Sequence, residues 1–579
     1  MKRRRWALSV VIILALICSA CAGAIGDGEI RAAPEPDAAP GADAVEPENA
    51  TARAASGPES AVESVSATTI RTSPLTEGTL VYQIEADTLG GWMPHTSAAA
   101  ISGHLVLRSV YDLLAYPDDT GELQPNLLSS FTPNADASEW TLVTRDGVTF
   151  HDGTPFDAAA VVANLELHRT SPTTGAFMID VLDLTVTDSD TVVVTLAGPR
   201  PHFPARFTTV LGYMASPTWL AAVSAGEASN TEPVGTGPFV YAGYEPGQFF
   251  EATQNADYWR EGHATVPAIR FEMRPSGRER VSNVVDGNIG LGHTDSADEI
   301  LRSRDLLGTV GMAEAANNGE TSYLMLNQAD PTSPLTDLDV RRALAQGVDR
   351  DLWKAARSAN FFDVANGPFP PGSIGHLEDS GFPAFAPEEA ASAIAAYEDA
   401  NGPIELVVSI SDRPVNLISA DLLAQMWGRI GVDVTLSVHP QSELIGLALT
   451  AQFDVLLWRS HGSWDPSLEG QWWSSQTAAP VGQQALNISR IRDDVIDQNL
   501  VAIAGSPDPA IRQAAAEALN RRFAEQVYNI WLSWPVWTVV HHPGVHLEGA
   551  ELPSGDAAMP LGVGIGGAHL LSHVWLEDE

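Results

Sequence analysis

From Thr79 onward the apolar positions fall into two alternating periods. Leu80-Val81-Tyr82-Gln83-Ile84 predicts a strand, and Ala98 to Leu114 predicts a helix, with Leu105, Val106, Val110, Leu113 and Leu114 on one side. Trp140-Thr141-Leu142-Val143 and Thr191 to Leu196 predict short strands; the second is β-branched and follows the turn residues Asp188-Ser189-Asp190. Helices and strands then alternate. Leu338 to Leu344 opens a helix, Glu405 to Ile410 is a strand, Asn416 to Ile430 a helix and Asp433 to Val438 a strand. Phe453 to Trp458 reads as a further strand and Ala510 to Val527 as a long helix. This alternation predicts an α/β body. No internal repeat of fixed period interrupts it.

The first 74 residues carry a different pattern. Lys2, Arg3, Arg4 and Arg5 precede a largely apolar run from Trp6 to Cys18, and small Ser19 and Ala20 lead to Cys21. A helix of that length spans about 20 Å, short of the ~30 Å hydrocarbon core, so the run reads as a signal-peptide core rather than a membrane span. The chain's two cysteines, Cys18 and Cys21, both lie here. Cleavage before Cys21 leaves a single Cys at the new N-terminus and no internal disulfide, so the fold must rest on packing. Cys18-Ser19-Ala20-Cys21 resembles a bacterial lipobox, in which the last Cys is lipidated; Cys18 departs from the usual aliphatic residue. Residues 22–74 are rich in Ala, Pro, Glu, Asp, Gly and Ser and are expected to form a disordered tether.

Charge narrows the function. The chain has 579 residues with 73 Asp and Glu against 32 Lys and Arg, a formal net charge of −41. Residues 75–579 carry nearly all of this excess, because the one basic cluster precedes Cys21. Such a body is not built to neutralise a nucleic-acid backbone or to dock through basic residues on an anionic membrane. Lys2 and Lys354 are the two lysines, and neither sits in a phosphate-loop motif. The chain has no G-x-S-x-G and no H-E-x-x-H, which argues against a hydrolase.

Several short motifs have local readings. His151-Asp152-Gly153 suits a tight turn before a helix opened by Thr154-Pro155. Gly235-Thr236-Gly237-Pro238 lacks dinucleotide-loop spacing and reads as a crossing segment that needs backbone freedom. Arg341-Arg342, on an amphipathic helix, reads as a structural ion-pair site. His541 and His542 are adjacent on a strand and point to opposite faces, which argues against a metal site shared with His546.

Four groups of segments, in order, resemble the extracellular solute-binding proteins of peptide and nickel ABC importers, solute-binding family 5. The first runs from Val110-Tyr111-Asp112-Leu113-Leu114 through Gly121 to Leu127 to Gly147-Val148-Thr149-Phe150-His151-Asp152-Gly153-Thr154-Pro155-Phe156 and the following Ala158 to Asn164. The second joins Pro233 to Phe239 with Asn255-Ala256-Asp257-Tyr258-Trp259. Tyr323 to Asn327, Val340 to Leu344 and Val348-Asp349-Arg350 make the third. The fourth comprises Ile430 to Val434, Phe453 to Trp458 and Trp464-Asp465-Pro466.

The resemblance implies two α/β lobes with an extra domain inserted in the N-terminal lobe, a solute bound between the lobes, and closure by hinge motion. The implied layout is a lipoprotein signal peptide over 1–21, a tether over 22–74, lobe I over 75–105, 234–322 and 534–579, the inserted domain over 106–233, and lobe II over 323–533. It implies a monomeric, extracytoplasmic, lipid-anchored protein that delivers solute to ABC permease subunits, with no cofactor, resident metal or catalytic residue. An oligopeptide is the leading expectation for the solute. A nickel chelate, saccharide or other solute is the alternative within transport, and a sensory lipoprotein or secreted hydrolase the alternative outside it. The loop after the first strand, with Trp92 and His95, is one candidate wall of the cleft. Arg459, His461, Trp464 and Asp465 form the other, with Trp472 and Trp473 as further aromatic candidates. In dipeptide-type relatives the carboxylate holding the peptide ammonium lies three residues before Asp-Pro. Gly462 occupies that position here, which leaves Asp465 as the substitute; capping before Pro466 is its competing reading.

Overall fold

The computed structural model describes residues 75–579 apart from 119–120, 264, 316–319, 461–463, 548–567 and 578–579. These residues belong to one compact unit, Ile70–Glu579. The expected signal peptide, Cys21, the tether and His461 lie outside the described residues.

The body is the two-lobed α/β fold expected from the sequence. One lobe is built on an eight-stranded sheet. Its order is Gly311–Ala315, Trp537–His541, Leu291–Thr294, Thr79–Ile84, Ala268–Met273, Phe249–Gln254 and Phe239–Glu245, with Leu75–Thr76 paired to Thr79–Ile84. The central strand Thr79–Ile84 is parallel to both neighbours and covered on both faces, which is why it reads as a nearly continuous apolar run. Leu80, Tyr82 and Ile84 join the core under helix Ile101–Val110, while Val81 packs with Val281, Val284 and Val540.

The other lobe is built on six strands in the order Asp363–Val364, Asn529–Trp534, Thr321–Leu326, Val455–Ser460, Glu405–Ser411 and Asp433–His439. Helices Leu338–Gln346, Pro387–Asn401, Pro414–Arg429 and Pro509–Gln526 contribute to its core, which holds Trp353, Trp427 and Trp531. A four-stranded antiparallel sheet lies within the chain excursion of the first lobe. Its order is Leu128–Pro133, Glu139–Thr144, Thr191–Leu196, Val181–Asp188. Helix Ala158–Thr170 contacts that sheet. Asp157 caps it by accepting from the Ala160 amide at 2.9 Å.

The first predicted helix is shorter than its apolar pattern. It ends at Val110, where Tyr111 turns extended. This turn delivers Asp112 to a buried node. Its carboxylate accepts from Thr236 Oγ1 at 3.2 Å, Tyr258 Oη at 2.8 Å and Trp259 Nε1 at 2.8 Å. Three separated motif segments thus converge on one side chain. Burial raises the Asp112 pKa against the pull of these donors and of Arg260.

Gly235 and Gly237 serve this junction by close approach. A Cβ on Gly235 would lie 2.1 Å from the Val110 carbonyl oxygen, and one on Gly237 would lie 2.6 Å from it. Space, rather than the expected conformational freedom, is what these positions require. His151 straddles the same segment, with Nε2 3.0 Å from the Gly237 carbonyl oxygen and Nδ1 accepting from the Gly235 amide at 3.3 Å. Asp152 makes the expected turn through Thr154, and Gly153 has φ +79°. Arg341 differs from its expected ion-pair role: its guanidinium donates to the carbonyls of Gln526 and Leu335, closing the end of helix Pro509–Gln526.

Candidate functional site

A cleft enclosing about 1570 Å³ of empty space, part of it open to solvent, is lined from both lobes. One wall carries Ser97 to Ser102, His104, Thr173, Thr174 and Phe177. The other carries Leu444, Ile445, Leu449, Leu457, Trp458, Trp472 and Ile488. Most of the lining is apolar. The charged lining side chains are Glu85, Glu320, Arg357 and Arg459, which places the charge at one end beside Trp537.

Topology assembles that end. Thr79–Ile84 and Leu291–Thr294 are parallel neighbours, with Leu291 opposite Tyr82. Glu85 and Asp295 each follow the carboxyl end of one of these strands, so the first lobe sets two buried acids side by side. In the second lobe Glu405–Ser411 and Val455–Ser460 are also parallel neighbours, with Val408 opposite Val455. Arg413 and Arg459 lie at the corresponding ends. Open α/β sheets carry their ligand crevices at such ends.

The acids and arginines meet across the lobes. Asp295, with no exposed side-chain surface, accepts from Arg413, from Arg459 Nη1 at 2.8 Å and from Arg357 Nη2 at 3.3 Å. Glu85 pairs with Arg413 Nη2 at 3.1 Å and Arg459 Nη2 at 3.3 Å. Burial alone would raise the Asp295 pKa; Arg413, Arg459 and Arg357 outweigh it and hold the carboxyl well below its ordinary value. Burial would likewise lower Arg459, but Asp295, Glu320 and Glu85 raise it.

Glu320 and Trp537 lie on the two segments that cross between the sheets, and the Trp537 indole N–H donates to the Glu320 carboxylate. Burial, only partly opposed by Arg459 and this hydrogen bond, pushes Glu320 up to about 7. Trp537 stacks on His293 at 4.2 Å between ring centres, and the Arg459 guanidinium sits 4.8 Å from its ring centre. Burial keeps His293 well below its ordinary pKa and therefore neutral.

The sequence-predicted residues scatter around this geometry. Arg459 lines the cleft, but two acids of the opposite lobe already hold it. Trp92 is buried in the first lobe's core, in edge contact with Tyr244 and Phe250. The His95 carbonyl accepts from Ser171 Oγ at 2.7 Å, its ring lies 6.3 Å from that of His168, and burial lowers its pKa. Trp464 donates from Nε1 to Thr208 Oγ1 at 3.1 Å. Asp465 accepts from the Ser467 amide at 2.8 Å and from Arg512 Nη2 at 2.5 Å, and lies 3.6 Å from His202. Its carboxylate is thus a cap and an ion pair. Trp472 lines the cleft, whereas Trp473 is buried against Phe523 and donates to Glu469 at 2.8 Å. Glu85, Asp295, Arg357 and Arg413 were missed. Their signal, a charged residue just beyond a buried strand or in the last turn of a helix, is faint without knowledge of which elements face each other.

Two α/β lobes around a cleft with a buried charged end define a two-lobed binding protein. Residues 122–480 match the family model for the middle region of bacterial extracellular solute-binding proteins, family 5, and the chain belongs to that family of binding proteins rather than enzymes. It is similar to the di/tripeptide-binding protein 2 of Pseudomonas aeruginosa, 23% identical over 456 residues that cover 73% of this chain and 83% of the relative. The ABC transporter-associated periplasmic binding protein DppA of Helicobacter pylori, in complex with the peptide STSA, shares the fold with a TM-score of 0.75 at 18% identity, covering 86% of this chain and 98% of DppA. NikZ of Campylobacter jejuni, in complex with Ni(L-His), gives 0.70 at 19% identity over 86% of this chain and all of NikZ. Among the described residues no helix is long and apolar enough to cross a membrane.

Proposed function

We propose that this chain is the substrate-binding lipoprotein of an ABC importer, monomeric and held outside the cytoplasm by a lipid on Cys21. It captures a solute between its lobes and delivers it to permease subunits. The cleft lined from both lobes carries this reading, because lobe closure then couples directly to occupancy. The lipobox-like segment and the following low-complexity stretch support the anchor. The sheets support a division into lobe I, the inserted domain and lobe II. The first boundary is best drawn after Val110, because helix Ile101–Val110 packs within the first lobe's core. The second lobe is best begun at Thr321, where its strand starts.

An oligopeptide is the solute we favour, supported by the peptide named for DppA and by the name of the Pseudomonas relative. A second reading, a nickel chelate or other small acid, is favoured by one observation. Among the described lining residues the carboxylates Glu85 and Glu320 are already engaged, which leaves no free acid for a peptide ammonium.

A thermal-shift screen of the full chain in detergent, against peptides, Ni(L-His) and sugars, tests the assignment. A ligand at 100 times its Kd stabilises by about 2.7 kcal/mol. A shift with a peptide supports the favoured reading; a shift only with another class replaces it. Loss of membrane association on Cys21→Ser is the outcome expected for the anchor, and equal association of the variant would overturn it.

A further inference from the structure

The charged end of the cleft is not neutral. Arg280, Arg357, Arg413 and Arg459 gather around Glu85 and Asp295, and Glu320 lies beside Arg459, so four cations meet three acids. Glu320, protonated for part of the time near neutral pH, enlarges that surplus. A buried charge without a counter-charge is unfavourable, and a ligand of opposite sign relieves it.

The four guanidiniums are not equally engaged. Arg413 reaches Asp295 with two nitrogens and also meets Glu85. Arg459 bridges Asp295 and Glu85, with Glu320 3.8 Å away. Arg280 donates to the backbone carbonyls of His293 and Arg274. Arg357 alone among those lining the cleft makes a single acceptor contact, its 3.3 Å bond to an Asp295 oxygen that also serves Arg413 and Arg459. Its Nη1 is buried with no hydrogen-bond partner, although a guanidinium carries five donors in a fork matched to a carboxylate. Burial lowers its pKa to about 10 against the pull of Asp295, so it remains a cation at neutral pH. Away from this end the cleft is uncharged and mostly apolar, with Leu444, Ile445, Leu449, Trp472 and Ile488 on one wall and the hydroxyls of Ser97, Thr173 and Thr174 on the other.

We propose that Arg357 receives a carboxylate of the bound solute, so that the cleft selects molecules with an apolar body and a free carboxylate. The inference rests on the cleft being the solute site and deepens that reading by naming the solute's chemistry. The protein's own Glu85 and Asp295 occupy Arg413 and Arg459, and the solute's acid supplies the missing counter-charge beside them.

Isothermal titration of the full chain in detergent tests this with two matched pairs of probes. N-acetyl-Leu-Phe has a carboxylate and no ammonium, and Leu-Phe amide the reverse; 4-phenylbutyrate and 4-phenylbutylamine form the second pair. In at least one pair the acid should bind at least about tenfold tighter, as a charge-assisted hydrogen bond implies. Arg357→Gln should bring that ratio close to one, and Arg357→Lys should retain a preference for the acid. The proposal falls if no acid probe binds, if the amines or amides bind as tightly as the acids, or if Arg357→Gln keeps the full preference. Should Arg357→Gln fail to fold, the comparison of pairs on the unaltered chain still decides the solute's charge and Arg357→Lys the residue. Failure of the peptide reading looks different: phenylbutyrate binds in preference to its amine while neither dipeptide derivative binds.

Discussion

In lobe I the residues that follow two neighbouring parallel strands are acids, Glu85 and Asp295. In lobe II the residues at the matching ends are bases, Arg459 and Arg413, with Arg357 from the last turn of helix Arg350–Ser358 beside them. In lobe I Arg280 offsets only part of the acid pair, and in lobe II Arg459, Arg413 and Arg357 crowd together; the two lobes together bring the opposite charges into contact. Asp112 presents the contrasting case. It is as deeply buried, but its partners Thr236, Tyr258 and Trp259 are neutral donors from the same half of the chain. A carboxylate held by neutral donors fastens parts of one lobe, whereas one held by guanidiniums from the other lobe ties folding of the hinge region to lobe contact.

Breaking the cross-lobe set should have the largest effect. Asp295→Ala leaves three guanidiniums with Glu85 as their main remaining counter-charge, and a loss of about 3–5 kcal/mol is expected in urea unfolding. The double variant Asp295→Ala/Arg413→Ala should lose less than the sum of the two single variants, because the pair acts as a unit. Asp112→Ala leaves three donors without their acceptor, an expected loss of roughly 3 kcal/mol. Its effect should be the same with and without bound solute, unlike that of Asp295→Ala. Gly235→Ala forces a methyl against the Val110 carbonyl and should cost about 1–3 kcal/mol by the same assay.

The smallest effect sharpens the comparison through pH. The folded-state pKa of Glu320, about 7, stands above its ordinary 4.5. Between these values the folded chain holds a proton that the unfolded chain has released. The stability from this group is therefore full below about 4.5 and declines as pH rises through about 7. Unfolding titrations of the unaltered chain and of Glu320→Gln should differ by a slope of up to one proton across this window. Parallel curves would remove Glu320 from the set. Asp295 has the opposite sign: held low, it contributes at every pH above the ordinary carboxylate range and weakens only in strong acid.

Much of the fold was legible because local pattern suffices for it. The run Thr191 to Leu196 is a strand over the same residues, and Glu405 to Ile410 differs from the observed strand by one residue. The family segments were legible as pieces; that three of them meet at Asp112 was not, since Thr236 lies 124 residues further along the chain. The predicted helix over Ala98 to Leu114 overshot because Leu113 and Leu114 are apolar for another reason: beyond the helix end Leu113 packs into the first lobe's core and Leu114 into the core of the inserted sheet. The cleft resisted for the same reason. Trp92 and Trp464 have the right chemistry for a wall, but aromatic character does not tell a core position or a rim contact from a lining one. Arg357 and Asp295 looked ordinary until the lobes were placed together.

The position of the cross-lobe charges has a consequence for the fluid around the protein. A member of a family that works outside the cytoplasm meets an ionic strength that the cell does not set. Mobile ions weaken exposed pairs separated by more than the ~8 Å screening length of physiological saline, but they screen buried pairs much less. Asp295 and Glu85 are sealed from solvent together with Arg413. The contact between the lobes should therefore depend on salinity much less than the pairs on the protein's surface do.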